Sequence, residues 1–307
     1  RIWSTVPPLP GFADRFPIET INAALGRYPD SGHLVFVGTY FEYGSWLKQC
    51  QAKRITLCYN IDNPASLIGR LVELEEIPTA FSLDFSFPSR RFCDAVGVAG
   101  WVEYATIATS RFRPVRARSY RSGPMVIGRH SRDDRLKFHP NDPSFFRCLA
   151  GLGHQIMIAG GTCLTETLKG NGLGDRITIQ PETQNGIVEF LDGLDCFIYR
   201  IHPHLYESGG TAILEAMAMG LPVVLFGERV GVAELIEHGR NGFIVETEEE
   251  ALACIGQLAD DPDLRRAIGE AARTTLVELM KAQTGAILDF YLQGNKTDSG
   301  AAREFQH

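Results

Sequence analysis

Two glutamates, Glu207 and Glu215, stand with seven residues between them, and Ser208-Gly209-Gly210 fills the approach to a helical run that starts near Thr211. A loop of small residues opening a helix is an anion site, because free backbone N–H groups and the helix dipole both point at the ligand. Gly209 and Gly210 let a ligand come close to the backbone. Thr211 is placed either to cap the helix or to donate to a phosphate. Carboxylates do not bind phosphate; they accept hydrogen bonds from hydroxyls. Two of them flanking an anion site fit a ligand with phosphate in the middle and polyols on both sides, which is the shape of a nucleotide-sugar. The bland alternative for Glu215 is a first-turn carboxylate favoured by the dipole alone, worth about 0.3–1 kcal/mol.

Glu207, seven residues, Glu215 and then AMAMGLPVV resemble the Glu-x7-Glu motif of the retaining glycosyltransferases of family 4, although Gly209 stands where the motif usually has an aromatic. The resemblance implies an α/β chain of the GT-B type: two facing Rossmann-like domains, each a parallel sheet flanked by helices, with the donor site in the second. It implies that Glu207 meets hydroxyls of the transferred sugar and Glu215 the nucleotide ribose. It also implies a basic pair after the first strand of the second domain, contacting the donor diphosphate. Arg129 and Lys137, in VIGRHSRDDRLKF, occupy that place. Negative charge develops on the leaving diphosphate, and preorganised cations aimed at it lower the barrier. Arginine offers a fork and lysine a point charge. The expected catalytic residues are therefore Arg129, Lys137 and Glu207, and the expected donor-binding residues are Ser208, Gly209, Gly210, Thr211 and Glu215. His202 and His204 with Glu207 make a conceivable metal triad. The preferred reading is two polar loop residues at the pocket entrance, with no metal and no cofactor beyond the nucleotide-sugar substrate.

The elements that must hold these residues read as alternating strands and helices, hence parallel sheets covered on both faces. In the first half, strands are expected at 33–41, 54–61, 79–85 and 101–107. A helix opens at Asn63-Pro64, and PSRRFCDAVGV reads as another, ending near Gly97. The strand 33–41 reads as buried. His33 reads as a surface residue. Tyr59-Asn60 sits where many family members carry a His, so Asn60 is left as a possible partner for a sugar hydroxyl. Residues 110–124, rich in arginine and poor in apolar residues, read as a solvated connector.

In the second half, strands are expected at 125–128, 154–161, 177–179, 195–200 and 243–245. Asp142 reads as an N-cap before Pro143. Helices are expected at 211–219, stopped by Gly220 and Pro222, over GVAELIEHG, and from Asp261-Pro262 onward. Gly160-Gly161 looks like a turn on the nucleotide side. The domains expected are 1–112, short and on the acceptor side; 113–293, binding the nucleotide-sugar, with a final helix crossing back; and a tail, 294–307.

Composition bounds the rest. The chain has 307 residues, 44% hydrophobic and 22% charged, comfortable for two domains of about 100–200 residues each. A net charge of −7 argues against nucleic acid as a partner. Seven dispersed cysteines without a CxxC pair fit buried thiols in a reducing compartment. No run approaches the ~18 apolar residues of a membrane span, and no signal peptide is read. The expectation is a cytoplasmic enzyme of polysaccharide biosynthesis. It would move a sugar with retention to a glycan, lipid-linked or small-molecule hydroxyl, and would touch a membrane at most peripherally. Two alternatives are a non-catalytic nucleotide-sugar-binding module and a nucleotide-sugar epimerase on the same fold.

Overall fold

The computed structural model describes residues 1–7, 15–115, 120–168, 174–182 and 186–293. The tail 294–307, most of the PPLPG stretch and residues 116–119 of the arginine-rich segment lie outside the described residues. The chain divides into two compact units. The first holds Arg1–Pro88 and Phe92–Glu103 with Leu292 and Gln293; the second holds Ser89–Arg91 and Tyr104–Tyr291.

The first unit opens with a short parallel pair, β1 (Ile2–Ser4) and β2 (Ile18–Thr20). Next come β3 (Ser31–Val37), β4 (Gln51–Cys58), α1 (Pro64–Leu74), β5 (Ser82–Phe87), α2 (Arg90–Val96) and β6 (Trp101–Val102). The sheet is parallel, in the order β3-β4-β5-β6. Ile55 and Leu57 of β4 are fully buried, as an interior strand of a parallel sheet requires. Asn63 caps α1 by accepting the Ser66 N–H at 3.1 Å, and Pro64 fits the first turn, where its missing N–H costs nothing. Two expectations are corrected. The run at 33–41 is not a buried strand: β3 is an edge strand ending at Val37, with Val35 42% and Val37 79% exposed. An apolar run cannot say whether a second neighbour lies beside it. The strand expected over 101–107 is only two residues long. Beyond it, the Gln283 side chain takes both backbone groups of Tyr104 (N–H to Oε1 2.9 Å, Nε2 to the carbonyl 2.8 Å), which removes them from the ladder. His33 sits on β3, its Nε2 2.8 Å from Thr56 Oγ1.

The second unit continues with β7 (Val126–His130), α3 (Asp142–Gly151), β8 (Gln155–Ala159), α4 (Thr165–Leu168), β9 (Ile177–Gln180), α5 (Ile187–Asp192), β10 (Cys196–Tyr199), α6 (Thr211–Ala218), β11 (Val223–Phe226), β12 (Phe243–Val245), α7 (Glu248–Asp260) and α8 (Pro262–Gln293). Its six parallel strands run β12-β11-β10-β7-β8-β9, the order of a Rossmann sheet. Chain direction across the sheet reverses between β7 and β10. In open α/β sheets ligands bind outside the carboxyl ends of the strands at that switch point. Alternate residues of each strand feed two cores. Phe197, Tyr199, Val223 and Leu225 face the core with α5 and α6, whereas Cys196, Ile198, Val224 and Phe226 face the core with α3 and α7. An added Cβ at Gly128 would lie 2.6 Å from Leu194 Cδ2, so the first central strand has to be bare at that position.

Here too the expected elements need correction. Asp142 is not the cap of α3. Asn141 precedes the helix without a side-chain cap, and Asp142, 1% exposed, accepts the His139 N–H at 3.0 Å instead. GVAELIEHG makes only a 3-10 turn, Gly231–Leu235. The Asn241 side chain captures the Glu237 N–H at 2.7 Å, a side-chain bond that competes with helix continuation. Where it is described, the connector is solvated at its arginines, with Arg111, Arg113 and Arg121 exposed, but it is anchored at two points. Phe112 is buried in the second unit's core, and Val115 N–H donates to Asp192 Oδ1 at 3.0 Å. Of the seven cysteines, Cys50, Cys93, Cys196 and Cys254 are buried and Cys148 is exposed.

Candidate active site

At the carboxyl ends of β7 and β10, beside the start of α6, lies a cavity of about 470 Å³. Its wall carries His130 at the end of β7, Arg132 and Lys137 from the loop after it, Tyr199 at the end of β10, Glu207, Thr211 and Glu215. Arg111 and Phe112 also line it.

The loop of Glu207 is fixed by backbone pairing. Glu207 N–H donates to the Arg229 carbonyl at 2.9 Å, and the Gly231 N–H donates to the Glu207 carbonyl at 2.8 Å. Arg229 is the one non-glycine residue at positive φ among the described residues (φ 58°). Helix α6 starts from Gly210 at φ 50°, and an added Cβ there would lie 2.3 Å from Val232 Cγ2. Only glycine meets both demands. The helix ends in a Schellman arrangement: the Gly220 N–H bonds the Met217 carbonyl, the Leu221 N–H bonds the Ala216 carbonyl, and Gly220 has φ 66°. The start of α6 at Thr211 sets Glu215 one turn inside, on the same wall as Thr211.

Glu207 Oε2 receives two donors, Lys137 Nζ at 2.5 Å and the Tyr199 hydroxyl at 2.9 Å. Burial, and then the Glu207 charge beside it, push the Tyr199 phenol well above its usual value, so it stays a neutral donor. Glu215 Oε2 lies 3.0 Å from His130 Nε2, within ion-pair distance but off the geometry of a hydrogen bond. The cavity therefore offers a helix N-terminus and cations to an anion, and two carboxylates to hydroxyls. The same wall can stabilise charge on a leaving phosphate.

Of the residues expected from sequence, Lys137, Glu207, Thr211 and Glu215 converge on this cavity. Ser208, Gly209 and Gly210 form the turn between the two glutamates but do not line it; Ser208 and Gly210 are buried. Arg129 lies elsewhere. It is 1% exposed, with its guanidinium between the rings of Phe138 (4.2 Å) and Tyr199 (4.8 Å). It donates to the Lys137 and Arg200 carbonyls, each at 2.6 Å, and to Asp142 Oδ2 at 3.3 Å, while its Nε is buried without a hydrogen bond. Burial raises Asp142 to about 6, against the pull of Arg129 and Arg200. This arginine ties the Lys137 loop to β10. His202 and His204 pair with each other (His204 N–H to His202 Nδ1, 3.2 Å), and neither lines the cavity. Among the described residues no group of three His, Cys, Asp or Glu side chains could hold a metal ion. The glycine of the turn after β8, Gly160, has φ 75°, and its Cβ would lie 1.9 Å from the Ser131 carbonyl oxygen, so this turn packs directly under the β7 loop.

Sequence reasoning missed Tyr199, His130, Arg132 and Arg111. Tyr199 and His130 sit in apolar strands and read as core. Arg132 is one of several charges in a polar loop. Arg111 belongs to the segment read as a connector.

Residues 152–275 match the family model described as Glycosyl transferases group 1. The matched span contains Glu207 and Glu215; Arg129 and Lys137 precede it. The chain is 41% identical over 81 residues to the N-acetyl-alpha-D-glucosaminyl L-malate synthase of Bacillus anthracis, a match over 25% of this chain and 20% of that one. The chain thus spans about a fifth of the length of that relative. Among solved structures, HepE of Anabaena in complex with UDP and glucose aligns with a TM-score of 0.58 at 14% identity, over 85% of this chain and 99% of that one. A glycosyltransferase from Rickettsia africae aligns with a TM-score of 0.54 at 15% identity, over 88% and 100%. At such identity the likeness is one of fold: parallel sheets flanked by helices, as in the GT-B glycosyltransferases. No helix among the described residues is long and apolar enough to cross a membrane.

Proposed function

We propose that this chain is a retaining glycosyltransferase that moves a sugar from a UDP-linked donor to a hydroxyl acceptor. The observation that carries the proposal is the convergence of Lys137, Glu207 and Glu215 on one cavity at the start of α6. The UDP in the Anabaena structure and the N-acetylglucosaminyl group in the name of the Bacillus relative make UDP-N-acetylglucosamine the first donor to try.

In this reading the diphosphate lies against the N-terminus of α6. Thr211 and the first N–H groups meet it from one side, Lys137 and Arg132 from the other. Arg132 takes the part that sequence alone gives to Arg129. Glu215 accepts from the ribose hydroxyls and Glu207 from the transferred sugar. The bond from the sugar C1 to the phosphate oxygen breaks as the acceptor oxygen bonds C1 on the same face. The acceptor proton passes to the leaving phosphate oxygen, and UDP is the second product. The developing diphosphate charge is met by cations already in place, so the reaction draws on them rather than on a metal.

The test is calorimetric titration of UDP and UDP-N-acetylglucosamine, followed by release of UDP with and without acceptor alcohols. The proposal expects binding and UDP release, both insensitive to EDTA. It also expects a product whose anomeric proton coupling matches that of the donor. Binding without release in any acceptor mixture would make the chain a binding module, and an inverted product would remove the retaining mechanism.

A further inference from the structure

Glu207 is held by two donors of different kinds. Lys137 lines the cavity with a point charge on a flexible stem, and its ammonium has three protons to share between Glu207 and an anion. Tyr199 has one proton and no freedom. Its ring is 2% exposed, stacks on Phe197 (centroids 6.1 Å apart, 12° between planes) and is covered by the Arg129 guanidinium 4.8 Å away. A buried tyrosine hydroxyl has to find an acceptor, and here the acceptor is Glu207 Oε2. Both donors use that one oxygen, so the other, Oε1, takes neither contact and is the one left to meet a ligand.

We infer that Tyr199 is the positioning residue of the sugar-binding carboxylate: it holds Glu207 by Oε2 while Lys137 turns to the diphosphate, and so keeps Oε1 aimed at the transferred sugar. This rests on the glycosyltransferase reading of the cavity. The charged groups around the contact are Lys137, Arg129 beneath the ring and Arg132 on the cavity wall. All three are cations, so none of them offers Tyr199 an alternative acceptor. Without the hydroxyl, Glu207 would follow Lys137 when the lysine moves. The sugar would lose its anchor in the transition state, while UDP, which has no sugar, would bind as before.

The experiment compares wild type and Tyr199→Phe in two readouts, kcat with UDP-N-acetylglucosamine (or whichever UDP-sugar the wild type turns over) and Kd for UDP. The expected result is a kcat lower by about 10- to 100-fold, the range for losing one hydrogen bond to a charged group, with Kd for UDP within about twofold. Para-aminophenylalanine at position 199, which restores a donor, is expected to recover most of the rate. Two results overturn the inference: a kcat within about twofold of wild type, or kcat and UDP affinity falling together, the mark of a merely structural tyrosine. If the phenylalanine variant fails to fold, para-fluorophenylalanine at the same position fills the space without a donor and carries the same readouts. A wild type that turns over no UDP-sugar removes the activity reading and this inference with it. An active wild type matched by Tyr199→Phe removes the inference alone.

Discussion

Lys137 and Glu207 touch across 2.5 Å, yet the two are given opposite tasks, one facing negative charge and one facing hydroxyls. The pair is partly buried, where leaving either member without a partner is costly. Lys137→Ala is expected to lower kcat by about 100- to 1,000-fold, the usual effect of removing one stabiliser of developing charge. A steady-state assay of UDP release measures it. Glu215 sits further along α6, beside His130 rather than Lys137. Glu215→Ala is therefore expected to act on binding, raising Kd for UDP about 10- to 100-fold by loss of hydrogen bonds to a carboxylate. Calorimetry decides this, and an unchanged Kd would take the ribose away from Glu215. Arg129 is a different kind of residue. Its charge is spent on the Lys137 and Arg200 carbonyls and on Asp142, inside the protein. Nothing in the order VIGRHSRDDRLKF distinguishes an arginine that leaves the surface from one that stays on it, and for that reason Arg129 and Arg132 could not be sorted from sequence.

At the scale of the element, α6 is the piece on which the site depends. Both of its ends are fixed by backbone geometry that only glycine adopts cheaply, Gly210 at φ 50° and Gly220 at φ 66°. These stops were legible in the sequence because the reason for them is local. Gly210→Ala places a methyl 2.3 Å from Val232 at an unfavourable φ. It is expected to destabilise the protein by about 1–3 kcal/mol and to weaken UDP binding, as the first turn of α6 shifts. Thermal melting with and without UDP separates the two effects. The elements that the sequence misjudged fail for the opposite reason. The strand expected through Ile107 is cut short by Gln283, far along the chain, and the helix expected over GVAELIEHG yields to Asn241. Phe112, in a run of arginines, finds a core that no local pattern reveals.

At the scale of the whole molecule, stability against acid follows from buried histidines. His154 is 6% exposed, its Nδ1 accepts the Met125 N–H at 3.1 Å, and burial lowers its pKa from 6.5. His139 is lowered as well, by burial and then by Arg200. The fold holds both neutral where the unfolded chain begins to bind protons. Their contribution is thus complete above pH 6.5 and is lost as pH falls through the lowered values, at up to about 1.4 kcal/mol per pH unit for each group. Asp142, raised to about 6, runs the other way below that pH, since the fold there keeps a proton that the unfolded chain gives up. Urea midpoints at pH 7.5 and near 6 are expected to differ in the wild type and to differ less in His154→Gln, where only the His139 share remains, and an unchanged difference in that variant would clear His154. The sequence by itself determined the alternation of strands and helices, the two units' parallel sheets, the start and stop of α6 and the spacing of Glu207 and Glu215, because each follows from periodicity or from glycine and proline within a few residues. Only the tertiary structure decided which side chains share the cavity. The order β12-β11-β10-β7-β8-β9 brings the ends of β7 and β10 together from positions about 70 residues apart. That meeting buries Arg129, exposes Arg132 and sets the Tyr199 hydroxyl against Glu207, through contacts whose energy depends on distance in space and leaves no trace in the order of the chain.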